Sequence, residues 1–168
     1  MDSREILQKY GLQEVGVDYA WIDCEDFEVS ENYLLLLEDL LTISKSVFEP
    51  QDAEILQEAW TDDDAYYIVD VGFNSFSKAQ KIRLLGEEWF DFDFIVQINA
   101  ILKTQNIDSQ FYPIKNDDQT LIIVFANPEL YQQLKAENII ENIDNLKLEK
   151  PVDFESLRLN QASETDRF

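Results

Sequence analysis

Gly86–Asn106 reads GEEWFDFDFIVQINAILKTQN. It begins with an acidic-aromatic cluster of Glu87, Glu88, Trp89, Phe90, Asp91, Phe92, Asp93 and Phe94. A helix follows, because Phe94, Ile95, Ile98, Ile101 and Leu102 recur at the spacing of one core-facing stripe. Asp91 or Asp93 can cap its first turn, and both carboxylates suit the positive end of a helix dipole. The same texture occurs twice earlier, around Trp21 (WIDCEDFE) and Trp60 (WTDDDAYY). The octets 21–28, 60–67 and 87–94 together hold all three Trp, 11 of the 35 acidic residues and no Lys or Arg.

Working outward, the chain supplies the partners of that helix. Residues 2–10 form a short helix with Ile6 and Leu7 inward, ended by Gly11. Gly16–Asp23 reads as a strand with Val17, Tyr19 and Trp21 on one face. Ser30 caps a long helix over Glu31–Phe48 that Pro50 stops. With Leu34 and Leu35, most of that helix's circumference is apolar, so it is buried on two sides or carries an interface. Asp52–Trp60 reads as a second helix through Ile55, Leu56, Ala59 and Trp60. Ala65–Phe73 and Lys78–Leu85 read as a hairpin, in which Lys78, Lys81 and Arg83 can pair across strands with Asp70 or neutralise a neighbouring acidic loop. Ser109–Lys115 and Thr120–Ala126 flank a polar loop and form another hairpin. Pro113 marks the first as an edge strand, and the apolar TLIIVFA run marks the second as central. Asn127-Pro128-Glu129 is a helix start.

The expected fold class is α+β, with a mostly antiparallel sheet of four to five strands packed with four to five helices. Residues 1–150 are expected to form one domain. Residues 151–168 read as a tail, partly disordered or docked through Phe154, Leu157 and Leu159.

Of 168 residues, 35 are acidic and 13 basic, a net charge of −22. Small domains usually carry a magnitude of about 2–8. Such a charge makes nucleic acid and anionic membranes poor partners and basic proteins good ones. The chain has no His. That removes the usual neutral-pH base, the Ser/His and Cys/His nucleophile systems and most transition-metal sites. Cys24, between Asp23 and Glu25, is a poor nucleophile, since neighbouring negative charge opposes the thiolate. MDSREILQKYG lacks the basic start and apolar core of a signal peptide, and Tyr33–Leu37 is too short to span a bilayer. A soluble, cytoplasmic protein is expected.

Three uses of the acidic clusters compete. They can be solvated loops and caps beside inward aromatics. They can be a surface that plugs a basic groove, with carboxylates standing in for phosphates and Trp or Tyr as central anchors. They can hold Mg²⁺ for hydrolysis. However, Asp91-x-Asp93 lacks the glycine and terminal glutamate of a calcium loop, and few cations are available to stabilise a phosphoryl transition state.

In size, charge and texture over residues 1–148, including EEWFDFDFIVQINAIL, the chain resembles immunity proteins that neutralise bacterial polymorphic or contact-dependent toxins. It is similar in character to barstar-like nuclease inhibitors and DNA-mimic proteins. The resemblance implies a non-enzymatic inhibitor of a basic toxin domain, with no catalytic residue, metal ligand or cofactor. The partner-binding residues expected from the clusters are Asp23, Glu25, Asp26, Trp60, Asp62, Asp63, Asp64, Tyr66, Glu87, Glu88, Trp89 and Asp91, with Phe90 a further candidate anchor. The alternatives are a Mg²⁺-dependent hydrolase using the Asp/Glu clusters, or an oligomeric scaffold subunit joined through the Leu34–Leu41 helix.

Overall fold

The apolar run Thr120–Ala126 (β6) is the central strand of one antiparallel sheet, between Tyr19–Asp23 (β1) and Gln110–Ile114 (β5), in a computed structural model that describes residues 2–160. Its two faces serve two cores. Ile122 and Val124 pack with Ile6 and Leu7 of Ser3–Lys9 (α1) and Leu134 of Pro128–Ala136 (α4). Leu121 and Ile123 face the main core. A strand buried on both sides must be apolar at every position, hence the loss of alternation in TLIIVFA. Asn127 caps α4 as expected, its side chain accepting from Leu130 N–H at 2.8 Å.

A second antiparallel sheet has the order Gln51–Trp60 (β2), Tyr67–Ser75 (β3) and Lys78–Leu85 (β4). Two corrections to the expected fold follow. Asp52–Trp60 is not a helix: it lies within β2. The segment is rich in helix formers, and two register shifts between Gln51/Glu54 and Ile55/Gln57 break the period of two that would have announced a strand. Pairing with β3 overrides the local propensity. The strands also make two three-stranded sheets rather than one.

The reason for two sheets lies in Asp93–Thr104 (α3), which sits between the β4 and β5 edges. Gln97 Nε2 donates to Arg83 O at 3.1 Å on β4. Asn99 donates to Phe111 O at 2.9 Å and accepts from Phe111 N–H at 2.8 Å on β5. Asp91, just before α3, accepts from Leu85 N–H at 2.8 Å and from Asp93 N–H at 3.0 Å. Side chains thus satisfy edge groups that would otherwise pair with a further strand. Gly86 permits the exit from β4, since a Cβ there would run into the Tyr67 ring and come within 2.8 Å of Val69 Cγ2.

The helix Glu31–Ile43 (α2) packs against both sheets, burying Tyr33, Leu36, Leu37, Leu40 and Ile43. It is shorter than expected, and Ser30 makes no side-chain cap bond. Fully buried Phe48 joins the sheets, meeting Phe73 at 5.8 Å and Phe111 at 5.9 Å, both edge-on. Behind the second sheet, Asp70 and Arg83 form a bidentate pair with both bonds at 2.8 Å, Arg83 being 6% exposed. Arg83 also donates to Leu157 O at 2.5 Å, while Phe154 and Leu159 pack on Ala59, Ile68 and Leu85. Lys150 reaches Asp91 at 2.5 Å and Asp93 at 2.7 Å. Residues 150–160 therefore lie on this sheet; residues 161–168 of the expected tail lie outside the described residues. Among the described residues no helix is long and apolar enough to cross a membrane.

Asp91→Ala leaves two N–H groups without an acceptor and Lys150 short of a buried counterion. It is expected to cost about 3–5 kcal/mol, read as a lower urea midpoint. Asn99→Ala should cost about 1–3 kcal/mol. Glu88→Ala, on the surface, should stay within about 0.5 kcal/mol. An Asp91→Ala variant as stable as the parent contradicts the assigned role.

Candidate partner-binding surface

The three acidic-aromatic octets meet different fates. In the first, Asp23 accepts from Glu25 N–H at 3.0 Å and from Gln119 Nε2 at 3.0 and 2.9 Å. Those bonds start a 3-10 turn over Cys24–Glu28 that buries Cys24 and Phe27 and turns Glu25, Asp26 and Glu28 outward. Burial, then the carboxylates of Asp23 and Asp117, push the Cys24 thiol up to about 12. Cys24 is therefore a packing residue.

The second octet forms the Thr61–Tyr66 connection between β2 and β3. Asp63 accepts from Thr61 Oγ1 at 2.6 Å and from Ala65 N–H at 3.1 Å, which holds its carboxyl below the usual range. Asp64, with φ 57°, accepts from Asn160 at 3.0 Å, and Asp62 lies 3.8 Å from Arg158. Tyr66 leans edge-on against Phe154 at 6.2 Å. Trp60 stays 46% exposed beside Tyr67. This cluster mainly closes its own loop.

In the third octet Glu87 and Glu88 are exposed and Trp89 is half-buried against the core. Asp91 is 0% exposed and holds the interior contacts described above, so it presents nothing to a partner. Phe90 is likewise fully buried, 4.8 Å from Phe27, and is no surface anchor. Phe90 N–H donates to Cys24 O at 2.8 Å, which sets the first and third octets side by side.

The surface that the octets did not reveal is the outer face of α2. Glu31, Leu35, Glu38 and Asp39 stand at i, i+4, i+7 and i+8, so they share one side of the helix. Leu35 is 58% exposed and borders two depressions. One, of about 180 Å³, is shared with Trp21, Asp23, Asp26 and Asp39. The other, of about 590 Å³, runs between α2 and β2 past Leu34 and Leu41, with Glu31, Glu38 and Asp52 at its rim. Neither is lined by Lys or Arg. Trp21, in the middle of the edge strand β1, is 41% exposed and borders the smaller depression.

Among the described residues the carboxylates of Asp26, Glu31, Glu38 and Asp39 make no hydrogen bond or ion pair in the protein. Burial, with Glu38 beside it, holds the Asp39 carboxyl above its usual range. A charge kept there costs stability and is available to an outside cation. The spacing of Glu31, Glu38 and Asp39 around Leu35 is the signal for this face in the sequence. Among the described residues, no three carboxylate or thiol groups converge as metal ligands. No protein-family model, no curated protein and no solved structure matches the chain.

Because the folded-state pKa of Asp39 is raised, its charge opposes folding above that pKa, and the penalty fades as pH falls through it. Asp39→Asn is expected to raise the Tm at pH 7. The gain should vanish below the unfolded aspartate value of about 3.9. Melts of both proteins across that range check this; a lower Tm for the variant at pH 7 contradicts it.

Proposed function

We propose that the chain is a non-enzymatic acidic binding protein that neutralises a basic partner, with the α2 face as its contact surface. The observation that carries this reading is the set of carboxylates around Leu35 and Trp21 that the fold leaves without internal partners. One of them, Asp39, is retained although burial disfavours its charge. A fold selected only for stability gains nothing from that arrangement. A binding protein gains a place where a partner's Arg or Lys is met by Asp26 and Asp39 and stacks on Trp21. Leu34, Leu35 and Leu41 then accept apolar contact in the adjoining groove.

The partner class that fits is a protein whose own ligand is polyanionic, such as a nucleic-acid-acting toxin domain, and the role is that of an immunity protein. Carboxylates at the α2 face would occupy the groove in place of phosphates and exclude the substrate. The remaining charge of a chain at −22, including Glu87 and Glu88, would speed encounter. Self-association through the same helix is opposed by like charge: a second copy would bring the same acids against Glu31, Glu38 and Asp39.

The test is affinity capture from lysate at about 0.1 M and about 0.4 M salt, with mass spectrometry of the retained protein. One stoichiometric basic protein, weakened by salt, is expected. Trp21→Ala or Asp39→Lys should reduce its affinity by about 30-fold or more, the effect of a hot-spot residue worth about 2 kcal/mol. Asp62→Lys, in the self-closed loop, should change it severalfold at most. Equal loss at both places would assign the effect to net charge and overturn the α2 assignment.

A further inference from the structure

A second cleft of about 590 Å³, between α3, β5 and the chain leaving α4, has the opposite electrostatic character. Its volume lies within the roughly 300–1,000 Å³ of small-molecule sites. Asn138 ends α4 in a left-handed turn with φ 60°, a conformation asparagine tolerates. The chain then runs back along β5. Lys115 N–H donates to Ile139 O and Glu141 N–H to Pro113 O, both at 2.8 Å. Together with Asn99 on Phe111, these bonds occupy the outer edge of β5, where Pro113 has no N–H to offer. A strand-adding peptide finds no open backbone there. The cleft suits a compact ligand.

Its walls favour an aromatic one. Tyr112 stacks on Tyr131 with ring centroids 4.4 Å apart and planes 30° from parallel. Phe111, Ile95 and Ile140 complete the apolar lining. Burial holds the Tyr112 phenol above its usual range, so it remains a hydrogen-bond donor at neutral pH. Lys135 lies over the Tyr131 ring at 5.8 Å, and Lys103 comes to the same cleft from the last turn of α3. Among the described residues neither lysine has a carboxylate partner, although the chain carries 35 acids. By contrast Lys9, Lys45, Lys81, Lys147 and Lys150 are all paired. Among the described residues Lys78 and Lys115 also lack a carboxylate partner, and neither lines this cleft.

We infer that this cleft binds a small planar anion, an aromatic ring carrying one carboxylate or phosphate group. The ring packs against the tyrosine pair and the anion takes its counter-charge from Lys103 and Lys135. Glu141 on the same wall disfavours further negative charge and can accept from a ring hydroxyl or amino group. The site is independent of the α2 surface, so it stands or falls apart from the proposed function.

The test titrates the full chain, labelled with ¹⁵N, with 4-hydroxybenzoate and adenosine 5′-monophosphate. Their uncharged counterparts, 4-hydroxybenzamide and adenosine, serve as comparisons. Saturable shifts are expected at the amides of Phe111, Tyr112 and 138–143 with at least one anion. Binding should be at least tenfold weaker with its uncharged counterpart. The anion that binds tells an aryl carboxylate from a nucleotide. Lys103→Gln combined with Lys135→Gln should weaken binding at least tenfold while leaving the melting curve unchanged. Equal binding of the uncharged compound, undiminished binding by a folded double variant, shifts confined to other regions, or no saturable shift up to about 10 mM would each overturn the assignment.

Discussion

Backbone groups along the facing edges of β4 and β5 have to be satisfied; three side chains from 91–99 take those of Arg83, Leu85 and Phe111, and the backbone of 139–141 takes Pro113 O and Lys115 N–H. Asp91 takes the Leu85 N–H, Gln97 reaches the Arg83 carbonyl, and Asn99 closes both groups of Phe111. A helix that caps two sheets with its side chains keeps them apart and places a shared core between them. α2 can then bury Leu36, Leu37 and Leu40 against that core while its outer side, around Leu35, stays open. The surface assigned to a partner is thus a consequence of how α3 terminates two sheets.

The acids divide by what they touch. Several accept from backbone donors of their own loop: Asp18 from Gln13 and Glu14, Asp63 from Ala65, Asp117 from Gln119 and Thr120. In each of these three, hydrogen bonding holds the carboxyl below its usual range, so the charge supports the fold at neutral pH. Others hold a buried or half-buried cation, as Asp70 does for Arg83 and Asp91 for Lys150. The acids of the α2 face do neither. The distinction matters because a charge of −22 is otherwise explained by solubility alone. Carboxylates that order a turn are accounted for by the fold, whereas those around Leu35 are not.

Much of the fold was legible because its signals are local. Strand-forming composition and turn residues announced both hairpins, Pro113 marked an edge strand, and the all-apolar run at Thr120–Ala126 marked a central one. The α3 stripe appeared with the expected inward residues Phe94, Ile95, Ile98 and Leu102. Misreadings arose where a long-range partner decided the outcome. β2 carries helix formers and two bulges, so only its pairing with β3 reveals it. Asp91 looks like its exposed neighbours Glu87 and Glu88 until Lys150, which lies far along the chain, is seen beside it. Phe90 has the texture of an anchor but fills the space next to Phe27. Leu35 was visible as one leucine among many on α2; which leucines the two sheets would leave uncovered depends on packing.

The partnerless acids of the α2 face, around Leu35, are proposed to be the contact surface. Hydrogen–deuterium exchange of the protein alone and saturated with its captured basic partner tests it most directly. Protection is expected at 20–28 and 31–42, with little change at 61–66. Protection centred on 61–66, with α2 exchanging as in the free protein, would contradict the account.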